Sequence, residues 1–228
     1  MNLKVKPMDM RVNPKLPAKP VAKKPSFKEQ QLKAREDAIL DSVNGLLATK
    51  GYDLMTMDEV AADVGIAKPS LYKHFDSKEE LAAAAMMRLL ERTLAHLKAQ
   101  DPKAPPTDRI KDLLRWALAQ HLEGTLPMLP STRSTIRTAL VAHQGYMARL
   151  LEVSDALGEL ITKAQKDGAI AKDLPPEAVL YTIFARACDP VLDFLKLGGL
   201  YDDQEIIEIL IRTSFAGLSG PAPKTSKK

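Results

Sequence analysis

Eight side chains between Thr56 and Lys78 have the chemistry to hold a polyanion. Lys68 and Lys73 carry ammonium groups that pair with guanine O6 and N7 or with phosphate oxygens, and Ser70 between them is a permissive reader of base edges. Pro69 either meets a thymine methyl group or simply opens a helix, where its missing N–H costs little. Tyr72 and His74 each join an apolar ring to a polar tip; for Tyr72 the alternative is packing in the core, to which Leu71 and Phe75 are assigned. Thr56 and Lys78 stand at expected helix starts, whose unpaired N–H groups already favour an anion.

Catalysis finds less support. His121–Leu122–Glu123 has the H-x-E spacing of zinc deaminases, but the P-C-x-x-C partner is absent. No H-E-x-x-H, P-loop, G-x-G-x-x-G or G-x-S-x-G occurs. The histidines His74, His96, His121 and His143 are scattered without metal-ligand spacing, and Cys188, the one cysteine, has no base partner visible in the sequence. The expectation is a protein that is not an enzyme and has neither cofactor nor metal.

The elements that must position the first group are short helices. Ile39, Val43, Leu46 and Leu47 fall on one helical face, closed by Gly51. Thr56 and Glu59 have capping-box spacing before a helix through Val60, Ala61 and Val64. Gly65 suits a left-handed turn, and a second short helix is expected from Ala67 to about Phe75. Ser77 then caps a longer helix reaching about Lys98, with Leu81, Ala84, Ala85, Leu89, Leu94 and Leu97 as candidate buried positions. A small Ala61, a turn at Gly65 and apolar Val60, Val64, Ile66 and Leu71 are what two closely crossing helices need. This is helix-turn-helix geometry, with the second helix in the DNA major groove.

Residues 36–98 resemble the N-terminal DNA-binding domain of the TetR family of bacterial transcriptional regulators. The resemblance rests on Gly51–Tyr52, Thr56, Val60–Ala61, Val64–Gly65–Ile66, Leu71–Tyr72, His74–Phe75 and Ser77–Lys78–Glu79–Glu80–Leu81. It covers about the N-terminal third by motif; the remainder matches in length and helical character. Ala67 departs from the Ser or Thr that often caps the second helix in such proteins, which weakens that cap. The resemblance implies that Tyr72 and His74 contact phosphates. It further implies a homodimer on a palindromic operator, most often a repressor, released when a small apolar or amphipathic effector moves the helix after Ser77.

Beyond the Pro-rich break Asp101–Pro106, every segment reads as helix: Thr107–Glu123, Ser131–Ala142, Gln144–Asp167, Pro176–Leu197 and Gln204–Leu218. The fold class expected is all-α, with a helix-turn-helix domain at 28–98 and an effector-binding and dimerisation domain at 99–219. Apolar residues on several faces of the last two helices suit a dimer as well as a core. Pro190 removes a hydrogen bond and is expected to kink its helix or break it. For the effector pocket the large, soft or amphipathic side chains are Trp116, His121, Met128, His143, Tyr146, Met147, Phe184 and Cys188. Arg137 and Arg186 are further candidates for an acidic ligand, with plain solvation as the alternative.

Charge is unevenly placed. The chain of 228 residues has net charge +4, of which residues 1–27 carry +6 together with five prolines, so residues 28–228 carry −2. The arm is expected to be extended, either a solubilising tail or an electrostatic tether for DNA, and 220–228 a disordered tail. The longest stretch without a formal charge is the eleven residues Thr138–Ala148, short of the roughly 20 that cross a bilayer, and no apolar signal core stands near the N-terminus. A cytoplasmic protein with no membrane partner is expected. A constitutive DNA-binding protein, or an adaptor of the same family without an effector, is the competing reading.

Overall fold

The computed structural model describes residues 26–126 and 134–216. The arm before Ser26, the tail from Gly220 and Met128 lie outside these residues. Every described element is a helix, so the all-α expectation holds. No described helix is long and apolar enough to cross a membrane.

The first helix, α1 (Phe27–Thr49), opens on a capping box in which Ser26 and Glu29 satisfy each other's backbone N–H groups. Gly51, at φ 73°, turns the chain into α2 (Gly51–Leu54), a one-turn helix that periodicity had not suggested. Thr56 and Glu59 form the expected capping box of α3 (Met57–Val64). Gly65 ends α3 at φ 71°, a left-handed conformation that costs glycine little. The second short helix is brief: α4 (Lys68–Leu71) has no side-chain cap at Ala67, and turns carry the chain to His74. Ser77 caps α5 (Lys78–Ala99) by accepting from the Glu80 N–H at 3.1 Å.

Beyond the Pro-rich turn come α6 (Pro106–Leu122), α7 (Ile136–Ala142) and α8 (Gln144–Lys166). The expected helix Pro176–Leu197 is broken rather than kinked, giving α9 (Pro176–Ala187) and α10 (Val191–Gly198). Pro190 cannot donate, and the residue before a proline avoids the helical region. Asp189 finishes the break: its buried carboxylate accepts from the Val191 N–H at 3.0 Å and pairs with Arg186. The last element is α11 (Asp203–Ala216).

Two clusters fill the interior. The larger runs from Ile39, Val60 and Leu71 through Leu81 and Met86 to Val153 and Leu157. α5 serves as a common strut, packed on α1 near its start and on α8 further along. The smaller cluster joins Leu114 and Leu118 of α6 to Leu192 of α10 and to Ile206, Ile207, Leu210 and Ile211 of α11. Most apolar residues of α11 are therefore spent on their own chain.

A second, polar contact joins segments far apart in sequence. The Asp53 carboxylate on α2 accepts from Thr135 Oγ1 at 2.6 Å and Ser134 Oγ at 3.1 Å, just before α7. The Thr135 hydrogen bond, the largest influence, helps hold the Asp53 carboxyl below its ordinary range.

Candidate nucleic-acid interface and ligand cavity

The α3–turn–α4 pair is fixed from beneath. Val60, Ala61, Leu71 and Phe75 are buried in the larger cluster with Ile39 and Val43 of α1. What α4 and the turn after it present outward is mostly polar: Lys68, Pro69, Tyr72 and Lys73 are exposed and Ser70 is half-buried. Tyr72 is 43% exposed, so the core alternative is not adopted.

The remaining candidates are differently placed. Lys78 lies with its Nζ 4.3 Å from the Tyr52 ring centroid, a cation–π contact that holds it at the start of α5. Tyr52 donates to Glu79 Oε1 at 2.8 Å, and burial, with that bond, pushes its phenol pKa up. Thr56 is exposed, but its hydroxyl is engaged in both directions by Glu59. The His74 ring is turned inward, against the expectation of a phosphate contact. Its side chain is 6% exposed and Nδ1 lies 3.4 Å from Glu36 of α1, so the ring docks the end of the turn onto α1.

Lys68 Nζ is 2.8 Å from Asp58 Oδ2, and that hydrogen bond raises the lysine pKa. A Lys68 that contacts DNA must first leave this carboxylate. Asp58→Asn is therefore expected to tighten DNA binding about two- to fivefold at low salt, with the gain shrinking as salt screens the pair. Mobility-shift titrations at two salt concentrations check this; equal affinities for both proteins would contradict it.

A cavity of about 100 Å³ lies between α5, α6, α8 and α9. It brings together four of the sequence candidates, Trp116, Tyr146, Phe184 and Cys188. Three others lie elsewhere. His121 faces Asp193 at 3.5 Å, His143 caps α8 by accepting from the Tyr146 N–H at 3.1 Å, and Met147 packs against the larger core. Sequence reasoning missed the wall supplied by α5 (Met86, Leu89, Leu90 and Thr93), whose periodicity reads as plain core. Arg186, offered for an acidic ligand, lines a neighbouring groove of about 340 Å³ and is paired with Asp189; Arg137 is exposed. Trp116 is stacked on His96 with centroids 5.1 Å apart, and the Arg92 guanidinium sits 5.7 Å from its ring. Among the described residues no cluster of His, Cys, Asp and Glu has metal-binding geometry.

The fold and this exposed helix pair have counterparts among known proteins. Residues 39–85 match the family model described as bacterial regulatory proteins, tetR family. Over 46 residues the chain is 46% identical to the biofilm operon icaADBC HTH-type negative transcriptional regulator IcaR of Staphylococcus epidermidis, covering 20% of this chain and 25% of that protein. The chain thus spans about a quarter of the length of the curated relatives it matches. The fatty acid degradation regulator FadR from Bacillus halodurans shares the fold with a TM-score of 0.61 at 18% identity, covering 81% of this chain and 96% of that one. AibR, solved in complex with isovaleryl coenzyme A and operator DNA, gives 0.56 at 22% identity over 79% of this chain and 98% of that one. Over its N-terminal helices the chain is similar to the tetR family of bacterial regulatory proteins, and over most of its length it shares the fold of the solved structures.

Proposed function

We propose that the protein is a homodimeric transcriptional regulator, acting as a repressor, that binds a palindromic operator through α3 and α4 and is released by a small apolar or amphipathic effector. The observation that carries this reading is the α3–Gly65–α4 pair, buried on one side and presenting Lys68, Pro69, Tyr72 and Lys73 to solvent on the other. Lys68 and Lys73 read base edges; Tyr72 and Lys78 hold phosphates. IcaR is described as a negative transcriptional regulator and AibR was solved with operator DNA, which supports both the sign and the target.

The effector reading rests on the apolar cavity and on α5. Met86 follows Lys78 by eight residues, about 12 Å along one rigid helix. A group in the cavity that displaces α5 moves Lys78 with it. Paired recognition elements must match half-sites about 34–36 Å apart, so a small displacement loosens both ends of the dimer. A ligand that prefers the mismatched state weakens DNA binding by linkage.

The test is selection of bound DNA from a random pool at near-physiological salt. A palindromic consensus is the expected result; a folded dimer that returns none would overturn the reading. On the selected site, Tyr72→Ala and Lys78→Ala are expected to weaken binding to all sequences alike, and Lys78→Ala to lower the salt slope by about 1. Titrations with unchanged affinity and slope would remove the phosphate roles.

A further inference from the structure

The first helix runs past the body that holds it. Ile39 is the first buried residue of α1, and every residue from Phe27 to Arg35 is exposed. At 1.5 Å per residue this overhang, counted back from Glu36 to Phe27, extends about 14 Å. It has no apolar face to bury, because its large apolar residues Phe27 and Leu32 lie about 140° apart around the helix. A helix without an apolar stripe is held by local ion pairs or serves as a bridge to something else.

Local pairs are not formed. Glu29 and Lys33 have the i,i+4 spacing for one, but Glu29 is turned back to the Ser26 N–H. Glu36 faces His74, and Asp37 faces Arg88 of α5. The acids of this stretch are thus engaged elsewhere, and Lys28, Lys33 and Arg35 have no ion pair among the described residues.

Two of these cations share a side. Asp37 and Asp41 both pair with Arg88, which marks the α5 side of α1. At about 100° per residue, Lys28 and Arg35 stand within about 20° of each other and at least about 120° from either aspartate. They lie about 40–60° from Lys50, which reaches Glu59 of α3. The pair is therefore turned away from α5, on the flank where α1 carries the helix pair.

We infer that the overhang of α1 is a second DNA contact, in which Lys28 and Arg35 hold phosphates flanking the half-site engaged by α3 and α4. Charge favours this occupant, since uncompensated cations without an apolar stripe suit a polyanion and not a protein groove. Continuity favours it too. Glu36 lies against His74, so the overhang begins beside the exposed Tyr72 and Lys73. Its far end joins residues 1–25, which hold seven Lys or Arg against one acid. Phosphates recur about every 3.4 Å along a strand, so 14 Å corresponds to about four base pairs. The inference rests on the regulator reading and lengthens its footprint beyond the helix-turn-helix.

The test uses the full chain and two duplexes bearing the selected operator, one trimmed to its half-sites and one with about ten further base pairs at each end, more than the overhang spans. Both are titrated by fluorescence anisotropy at several salt concentrations. On the long duplex K28A/R35A is expected to bind about tenfold more weakly near physiological salt and to lower the salt slope by about 2. On the trimmed duplex it should match the parent within about twofold, because the flanking phosphates are gone. Both side chains are exposed and alanine favours helix, so the variant is expected to melt with the parent. The charge-preserving K28R/R35K should regain most of the affinity for the long duplex. Equal affinity and slope of parent and K28A/R35A on the long duplex would overturn the inference. So would an equal loss on both duplexes, which puts the cations inside the half-site, or an altered mass in light scattering, which puts the overhang in a protein interface. A parent for which selection returns no consensus removes the regulator reading and this inference with it; a parent that binds its site while the variant equals it removes this inference alone.

Discussion

With glutamate in place of Leu197, the protein is expected to run as a monomer and to lose at least about a hundredfold in affinity for a two-half-site operator. Leu197 is 88% exposed, and nearby Phe194 and Leu200 are 71% and 82% exposed. Tyr181 of α9 is exposed as well. Scattered apolar residues on a surface need no explanation, but several large ones on one short helix and its flanks are what the proposed homodimer would cover. Each contributes about 1.5–3 kcal/mol when covered. A two-fold interface uses the same patch from both copies, so one substitution enters twice, each time placing a carboxylate against apolar surface. The operator loss follows because a monomer engages one half-site at a time. Light scattering and operator titration on L197E check this, with Leu151→Glu, at an exposed position of α8, as a control that should leave the oligomeric state unchanged. A folded, dimeric L197E would place the interface elsewhere.

Leu71→Ala is expected to lower stability by about 2–5 kcal/mol, as for other wholly buried leucines truncated in a packed core. Leu71 has 0% exposure and is the anchor of a helix four residues long. Such a helix has no stability of its own, since one turn scarcely exceeds the cost of nucleation, and Ala67 gives it no side-chain cap. Its geometry comes from Leu71 and Phe75 being held on α1 and α3. DNA binding should therefore be lost even where the rest of the chain remains folded. Urea melts are the check, alongside Ser70→Ala, which should move stability by no more than about 0.5 kcal/mol. A wild-type midpoint for Leu71→Ala would contradict its place in the core.

Local features were legible in the residues themselves. The Thr56–Glu59 box, the left-handed Gly65 and the Ser77 cap are each set by one or two side chains acting on adjacent backbone, and each stands where spacing put it. The one-turn helix Gly51–Leu54 was not legible, because four residues give no periodicity to read. Pro190 announced a disturbance, but only the packed structure shows the buried Asp189 carboxylate accepting from the Val191 N–H where a new helix starts. The cavity divides along the same line. Trp116, Tyr146, Phe184 and Cys188 are conspicuous by type, whereas Met86, Leu89 and Leu90 look like any buried stripe until α8 and α9 leave a space beside them. His74 was read outward by resemblance, and Glu36 on α1 turns it inward.

The Asp53 contact ties α2 to the segment before α7 by side-chain hydrogen bonds alone. Its hydroxyl partners stand at the threshold of α7, and α7 passes through His143 alone into α8, which forms one side of the cavity. Such a joint resembles a latch with a proton for a key. Its carboxyl is held below the ordinary value near 3.8, so its contribution is complete above that value and is released as pH falls through the lower folded-state value. At neutral pH the latch is shut, and it ties α2, next in the chain to the helices proposed to face DNA, to the segment that leads through α7 into α8.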